Sequence, residues 1–273
     1  MTVRRQKERV DVLLVKRGLF ETREQAKRSI MAGIVYSAEE KLDKPGEKVF
    51  EDALLTVRGN ALKYVSRGGL KLEKALEVFA VDVQDKIVLD IGASTGGFTD
   101  CALQNGAVHC YALDVGYNQL AWKIRQDARV TVMERTNFRH ATQELFTVGQ
   151  PQFATIDVSF ISLRLILPAL KKIIAEGGDV IALVKPQFEA GKGKVGKKGV
   201  VRERSTHLEV LKKIAEASLE LGFSLRNSSF SPITGGEGNI EFLFHLTADE
   251  VPVTLFNDDL FDALINDAYK ELQ

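Results

Sequence analysis

The run Val88-Leu89-Asp90-Ile91-Gly92-Ala93-Ser94-Thr95-Gly96-Gly97-Phe98-Thr99-Asp100 decides the fold. Apolar, mostly branched residues lead into a glycine-rich turn, and the turn leads into helix-forming sequence. A buried strand, a tight turn and a helix in that order bring backbone against a nucleotide-like ligand in a doubly wound α/β sheet. The glycines are not spaced as G-x-G-x-x-G. The acid before them, Asp90, would repel a pyrophosphate but suits a ligand with an amino group. Both features turn the reading from a dinucleotide towards S-adenosyl-L-methionine, which carries an ammonium and a sulfonium. Gly92, Gly96 and Gly97 would let the backbone approach it closely, with Ala93, Ser94 and Phe98 in the same turn. The plainer reading is that these glycines serve only strand–helix packing.

Outward from this turn, strand and helix signals alternate. Strands are expected at 87–91, 109–115, 130–134, 153–158 and 179–185, and helices at 98–105, 119–126, 163–175 and 206–221, with a further helix at 70–79 ahead of them. This pattern is a parallel sheet covered on both faces. Two closing strands, 224–232 and 239–247, are joined by the turn Ile233-Thr234-Gly235-Gly236-Glu237-Gly238 and add an antiparallel strand. Seven strands ending this way give an α/β fold of the class I, Rossmann-like methyltransferase type. Asp114 ends the second strand, where an acid holds ribose hydroxyls or merely caps a helix. Asn137 follows the third strand, at the place for reading an adenine edge. Asp157 and Lys185 end the fourth and fifth, and ligands sit at the carboxyl ends of such strands. A lysine there is costly unless paired or functional, so the alternative is a structural Asp157–Lys185 ion pair. Lys71 opens the helix at 70–79, and Glu241 is an acid inside the last strand. Each alone reads as a surface or edge residue.

A small α+β module precedes the sheet. Val10, Leu13, Leu14 and Arg17 repeat at helical spacing and Gly18 stops them. Thr22 opens a second helix at 23–32 in a capping box with Gln25. Short strands follow at 34–36 and within 48–57. The expected division is a module at 1–60, a linker at 61–69 and the sheet domain at 70–273. The whole chain is charge-balanced, with 37 basic and 37 acidic residues. Its first 72 residues hold sixteen Lys/Arg against ten Asp/Glu, and its last 25 hold seven acids against one lysine. Arg9, Lys16, Arg17, Arg23, Lys27 and Arg28 crowd the first two helices behind Arg4 and Arg5. Aromatics are few there, so phosphate and shape reading of a folded RNA fits better than base stacking. Arg67 in the junction, and Lys192, Lys194, Lys197 and Lys198 on the glycine-rich loop after the fifth strand, extend that basic set. The plainer reading of each is a solvated face.

The two cysteines, Cys101 and Cys110, lie in apolar context and show no metal-ligand spacing. Buried reduced thiols are expected, and with them a cytoplasmic protein. The first residues lack the apolar core of a signal peptide. The most apolar helix candidate, 163–175, holds Arg164, Pro168, Lys171 and Lys172 and is too short to span a bilayer.

The chain resembles the TlyA (hemolysin A-like) family of ribosomal RNA ribose methyltransferases, in which an S4-type RNA-binding domain precedes an FtsJ-like methyltransferase domain. The resemblance rests on Asp11-Val12-Leu13-Leu14-Val15-Lys16-Arg17-Gly18-Leu19 and Arg23-Glu24-Gln25-Ala26 in the module. In the larger domain it rests on Ser66-Arg67-Gly68-Gly69-Leu70-Lys71-Leu72, the turn from Asp90, Asp157-Val158-Ser159-Phe160-Ile161-Ser162, Leu183-Val184-Lys185-Pro186-Gln187-Phe188-Glu189 and Gly238-Asn239-Ile240-Glu241. It implies S-adenosyl-L-methionine as cofactor, ribosomal RNA or ribosomal subunits as partner, and cytidine ribose as acceptor. It also implies a Lys-Asp-Lys-Glu tetrad, filled by Lys71, Asp157, Lys185 and Glu241. Lys185 is then the candidate base, needing a pKa lowered by burial and by neighbouring Lys71. The alternatives are a lytic, membrane-active protein and an RNA-binding protein without activity. The family's hemolysin name finds no spanning segment here to support it.

Overall fold

The computed structural model describes residues 6–20, 22–58, 63–191, 193–196, 198–253 and 256–272. They fall into two units that divide between Arg67 and Gly68. The first unit runs β1 (Lys7–Arg9), α1 (Val10–Lys16), α2 (Arg23–Met31), β2 (Val35–Ser37), β3 (Glu40–Lys41), β4 (Lys48–Phe50) and β5 (Leu55–Val57). The i, i+3, i+4 spacing of Val10, Leu13 and Leu14 puts all three on the buried face of α1, against Ala26 and Ile30 of α2. The expected capping box is present. Thr22 Oγ1 accepts the Gln25 N–H at 3.2 Å, and Gln25 Oε1 accepts the Thr22 N–H at 3.3 Å. The stretch 48–57 is two strands rather than one, because Glu51 and Asp52 turn the chain between β4 and β5.

The second unit opens with α3 (Gly68–Phe79), two residues earlier than the sequence suggests. Then come β6 (Ile87–Ile91), α4 (Gly97–Gln104), β7 (His109–Leu113), α5 (Trp122–Arg125), β8 (Val130–Met133), β9 (Phe153–Ile156), α6 (Leu167–Ile173), β10 (Asp179–Val184), α7 (Pro186–Glu189), α8 (Arg204–Glu220), β11 (Phe223–Phe230), β12 (Phe242–Ala248) and α9 (Asp258–Leu272). The sheet order is β11-β12-β10-β9-β6-β7-β8, with β12 antiparallel to both neighbours. The seven-stranded, mostly parallel sheet is therefore the one expected. The central strands are buried on both faces, as helices on each side require.

Several elements are shorter than expected. The helix expected at 163–175 breaks into a 3₁₀ turn, Leu163–Leu165, and α6. Pro168 has no N–H to donate, so it is accommodated in the first turn of α6 and not in a helix interior. The helix expected at 119–126 shrinks to α5, and the Gln119 N–H ahead of it goes to Glu134 Oε1. Asp114, Asp157 and Lys185 stand just beyond their strands, and Glu241 just before β12. Cys101 and Cys110 are both buried thiols. No helix among the described residues is long and apolar enough to cross a membrane.

Thr22→Ala is expected to weaken α2 by about 1 kcal/mol. Hydrogen exchange on the full chain should show the α2 amides exchanging about fivefold faster, with those of β6 unchanged. Equal protection of α2 in both proteins would contradict the role given to the box.

Candidate active site

The carboxyl ends of β6, β7 and β9 border a cavity of about 480 Å³, within the range of small-molecule sites. Gly92, Ser94, Asp114, Asn137 and Asp157 of the expected set line it, beside Leu113, Val115, Phe138 and Ile166. Asp114 accepts the Ser94 N–H at 2.8 Å and the Gly116 N–H at 2.7 Å, one on each carboxylate oxygen. Each oxygen keeps a lone pair for a hydroxyl. The capping and ribose-holding readings of Asp114 are therefore compatible. The donor set fits S-adenosyl-L-methionine: Asp114 for its hydroxyls, an apolar wall for its adenine, and Asp157 for its cationic end.

Asp90 is placed differently from expectation. It is 1% exposed and does not line the cavity. Its Oδ2 accepts the N–H and Oγ1–H of Thr99, at 3.0 and 2.6 Å, and its Oδ1 accepts Thr155 Oγ1–H at 2.9 Å. Gly96 precedes α4 and has no side chain with which to cap it, so Asp90 satisfies a first-turn N–H from the neighbouring strand. Burial pushes its carboxyl up to about 6, against the three hydrogen bonds that favour the ionised form. Ala93, Gly96, Gly97 and Phe98 are likewise buried and do not line the cavity. A Cβ on Gly96 would come within 2.8 Å of Leu120 Cδ1, so this glycine makes room for packing. Gly92 has φ +88°, and a Cβ there would stand 2.5 Å from the Asp157 carbonyl oxygen. Its bare backbone is what lets Asp157 reach the cavity.

Lys71, Asp157, Lys185 and Glu241 converge beside that cavity. Lys71 comes from the first turn of α3, Asp157 and Lys185 from adjacent strand ends, and Glu241 from the entrance to β12. Lys71 Nζ lies 2.6 Å from Glu241 Oε2 and 3.6 Å from Asp157 Oδ2. Lys185 Nζ lies 2.5 Å from Asp157 Oδ1 and donates to Ser159 Oγ at 3.3 Å. Lys71, Lys185 and Glu241 are buried, while the Asp157 side chain keeps 19% exposure, towards the cavity it lines. Burial pushes the Lys71 ammonium down, but the carboxylates of Asp157 and Glu241 outweigh it and hold the group above its ordinary value. Burial likewise raises Asp157, and the two lysines bring it below the usual carboxylate range.

The sequence reading missed two contributors. Ser159 touches Lys185 and lines the cavity. Gln187 donates from Nε2 to Glu241 Oε1 at 3.0 Å. Each stands two residues beyond a singled-out residue, but only the folded geometry selects it. Phe160, 91% exposed with φ +62°, separates the cavity from a second one of about 430 Å³ that Gln187, Phe188, Gly191 and Val195 complete.

The basic set is largely paired within the chain. Arg9 and Arg23 both reach the buried Asp11, at 2.9 Å each, and hold its carboxyl down at about 2 against the effect of burial. Lys16 pairs with Glu8 and Lys27 with Glu24. Arg17 donates to the Ala53 and Glu51 carbonyls, and Arg28 to those of Glu24 and Val65. Lys194 pairs with Glu209. Arg67 and Lys198 are exposed. Arg4, Arg5, Lys192 and Lys197 lie outside the described residues.

Residues 64–248 match the FtsJ-like methyltransferase family, and residues 8–53 match the S4 domain. A Bacillus subtilis protein named "Putative rRNA methyltransferase YqxC" is 69% identical over 88% of this chain and 85% of its own. The Mycobacterium tuberculosis 16S/23S rRNA (cytidine-2′-O)-methyltransferase TlyA is 44% identical over 87% of this chain and 89% of its own. Hemolysin A of Brachyspira hyodysenteriae is 42% identical over 87% and 98%. A solved structure named "Putative hemolysin", from Streptococcus thermophilus, superposes with a TM-score of 0.79 at 57% identity, covering 98% of both chains.

The placement of Asp90 has a measurable consequence. An acid whose folded pKa is raised destabilises the fold where it must ionise, so wild-type stability falls as pH rises from about 4 to about 6. Asn at this position keeps the contacts, with its oxygen towards Thr99 and its NH₂ donating to the Thr155 hydroxyl. The stability advantage of Asp90→Asn over wild type, measured by urea unfolding, should grow by about 2 kcal/mol between pH 4.5 and pH 7. S-adenosyl-L-methionine affinity should be kept. A large loss of affinity would return Asp90 to the ligand.

Proposed function

Because the chain belongs to the FtsJ-like methyltransferase family, in the TlyA group that joins such a domain to an S4 domain, we propose that it transfers the methyl group of S-adenosyl-L-methionine to a ribose 2′-hydroxyl of ribosomal RNA, with cytidine as the acceptor nucleoside. The observation that carries this reading is the double position of Asp157. It is at once a wall of the cavity and the carboxylate between Lys71 and Lys185. Donor and acceptor sites therefore meet at one side chain.

The bound cofactor supplies a methyl group already activated on sulfonium. The chain must place a hydroxyl in line with it and remove a proton. Lys185 Nζ takes that proton, and Asp157 at 2.5 Å holds the ammonium that results. Lys71, facing two carboxylates, stays charged and favours negative charge developing on the hydroxyl oxygen. Glu241 keeps Lys71 in place, and Ser159 orients Lys185. The second cavity, across Phe160, receives the acceptor nucleotide. The S4 domain supplies contact with folded RNA through Arg9, Lys16, Arg17, Arg23, Lys27 and Arg28, which exchange their internal carboxylate and carbonyl partners for phosphates.

Radiolabelled methyl transfer to ribosomal subunits and to naked ribosomal RNA, followed by mapping of the modified nucleotide, tests the reaction. Lys185→Ala should lower transfer by about 10²–10⁴-fold while cofactor binding persists. Lys185→Arg separates the roles, because a guanidinium stays charged and cannot accept the proton. It should be as inactive as the alanine variant. Substantial turnover by Lys185→Arg would reduce Lys185 to a charge that positions the hydroxyl.

A further inference from the structure

Asn239 has no part in the chemistry above, yet it is 3% exposed and its amide is engaged on both sides. Its Oδ1 accepts the Val201 N–H at 3.0 Å. Its Nδ2 donates to the carbonyls of Gly199 at 2.9 Å and Gly236 at 3.0 Å. All three partners are backbone groups on two loops. Gly199 and Val201 end the glycine- and lysine-rich loop after α7, and Gly236 belongs to the turn between β11 and β12. The Asn239 backbone tightens the same turn, its carbonyl accepting from Gly235 at 2.8 Å and its N–H donating to Gly236 at 3.2 Å.

That turn backs directly onto Glu241. A Cβ added at Gly235 would overlap the Glu241 carboxylate, with Oε1 as its nearest atom. Ile240, between Asn239 and Glu241, is 1% exposed in the core, so this segment has little freedom to absorb a shift. The Glu241 carboxylate is thus confined by Lys71, by Gln187 and by the Gly235 backbone, and the last of these is held where it is by Asn239.

We propose that Asn239 is a positioning residue for methyl transfer: its amide ties the end of the lysine-rich loop to the turn that backs Glu241, and so fixes Glu241 against Lys71. The proposal rests on the function given above. An amide suits the task because it offers an acceptor and two donors in one plane, matching one N–H and two carbonyls. An aspartate would face the two carbonyls with a charge, and a serine could not span both loops.

The test uses the full chain with S-adenosyl-L-methionine and ribosomal subunits, and two variants. Asn239→Ala removes the tie. Gly235→Ala keeps the tie and pushes on Glu241 directly. Both should lower kcat by at least about 30-fold, as misplacement of a supporting group does. Both should leave the cofactor dissociation constant within about twofold, since neither residue lines its cavity. Lys71, released from its carboxylate, should become at least about fivefold more reactive towards an amine-directed acylating reagent, scored by mass spectrometry. Gly235→Ala should do this with the tie between the two loops intact, and assaying each variant well below its own melting temperature separates positioning from general destabilisation and decides the matter if Asn239→Ala folds poorly. Unchanged Lys71 labelling in both variants, or a kcat within about threefold of wild type in both, overturns the proposal. A wild-type chain that transfers no methyl group to ribosomal RNA, while Lys71 labelling still rises in the variants, overturns the proposed function and leaves the positioning of Glu241 standing.

Discussion

Two ammonium groups and two carboxylates occupy one largely buried space at the ends of β9 and β10. Their charges sum to zero, and that balance is the condition under which they stay there. Removing one member leaves an unpaired buried charge, at a cost of about 3–5 kcal/mol in comparable pairs. The surrounding fold reads as a set of provisions for this neutrality. Gly92 has no side chain, so the backbone of Asp157 can pass against it. Pro186 begins α7 immediately after Lys185 and turns the chain out of the sheet there. The first turn of α3 delivers Lys71, and the entrance to β12 returns Glu241 from the far end of the unit.

The sheet was legible because fully buried parallel strands are continuous apolar runs, and glycine turns punctuate them. Strand ends were less so. Val115 continues the apolar run beyond β7 but is 71% exposed, as a wall of the cavity rather than part of the ladder. Asp90 shows the deeper limit. An acid before a glycine turn is visible in sequence, but the direction of its side chain is not. Two threonine hydroxyls, nine and 65 residues away, claim it for the interior. The glycines divide in the same way. Gly92 and Gly96 both look like ligand-approach positions, but one clears the Asp157 backbone and the other the side chain of Leu120.

The convergence of Lys71 and Glu241 could not be read from spacing, because it depends on β12 entering the sheet between β10 and β11. Only the family motifs placed these two residues in one set. The basic surplus of the first unit was legible as a number but not as a surface. Once folded, Arg9 and Arg23 share Asp11, and Lys16 and Lys27 are paired with glutamates. The Lys16–Glu8 and Lys27–Glu24 pairs are solvent-accessible and contribute little to stability, whereas the Asp11 carboxylate is buried and depends on its two arginines.

The antiparallel strand β12 also sets when the site can exist. Lys71 and Glu241 are 170 residues apart in the chain, so their contact has to wait for all of the sequence between them. Until the chain has been extended through the turn at 235–239 and into β12, Lys71 has neither its nearest carboxylate nor the strand that carries it. A chain that stops short of β12 can present its S4 unit, and even the walls of the cavity at the ends of β6, β7 and β9, without the assembled charge set. The order of the strands thus withholds the complete charge set until β12 is in the sheet.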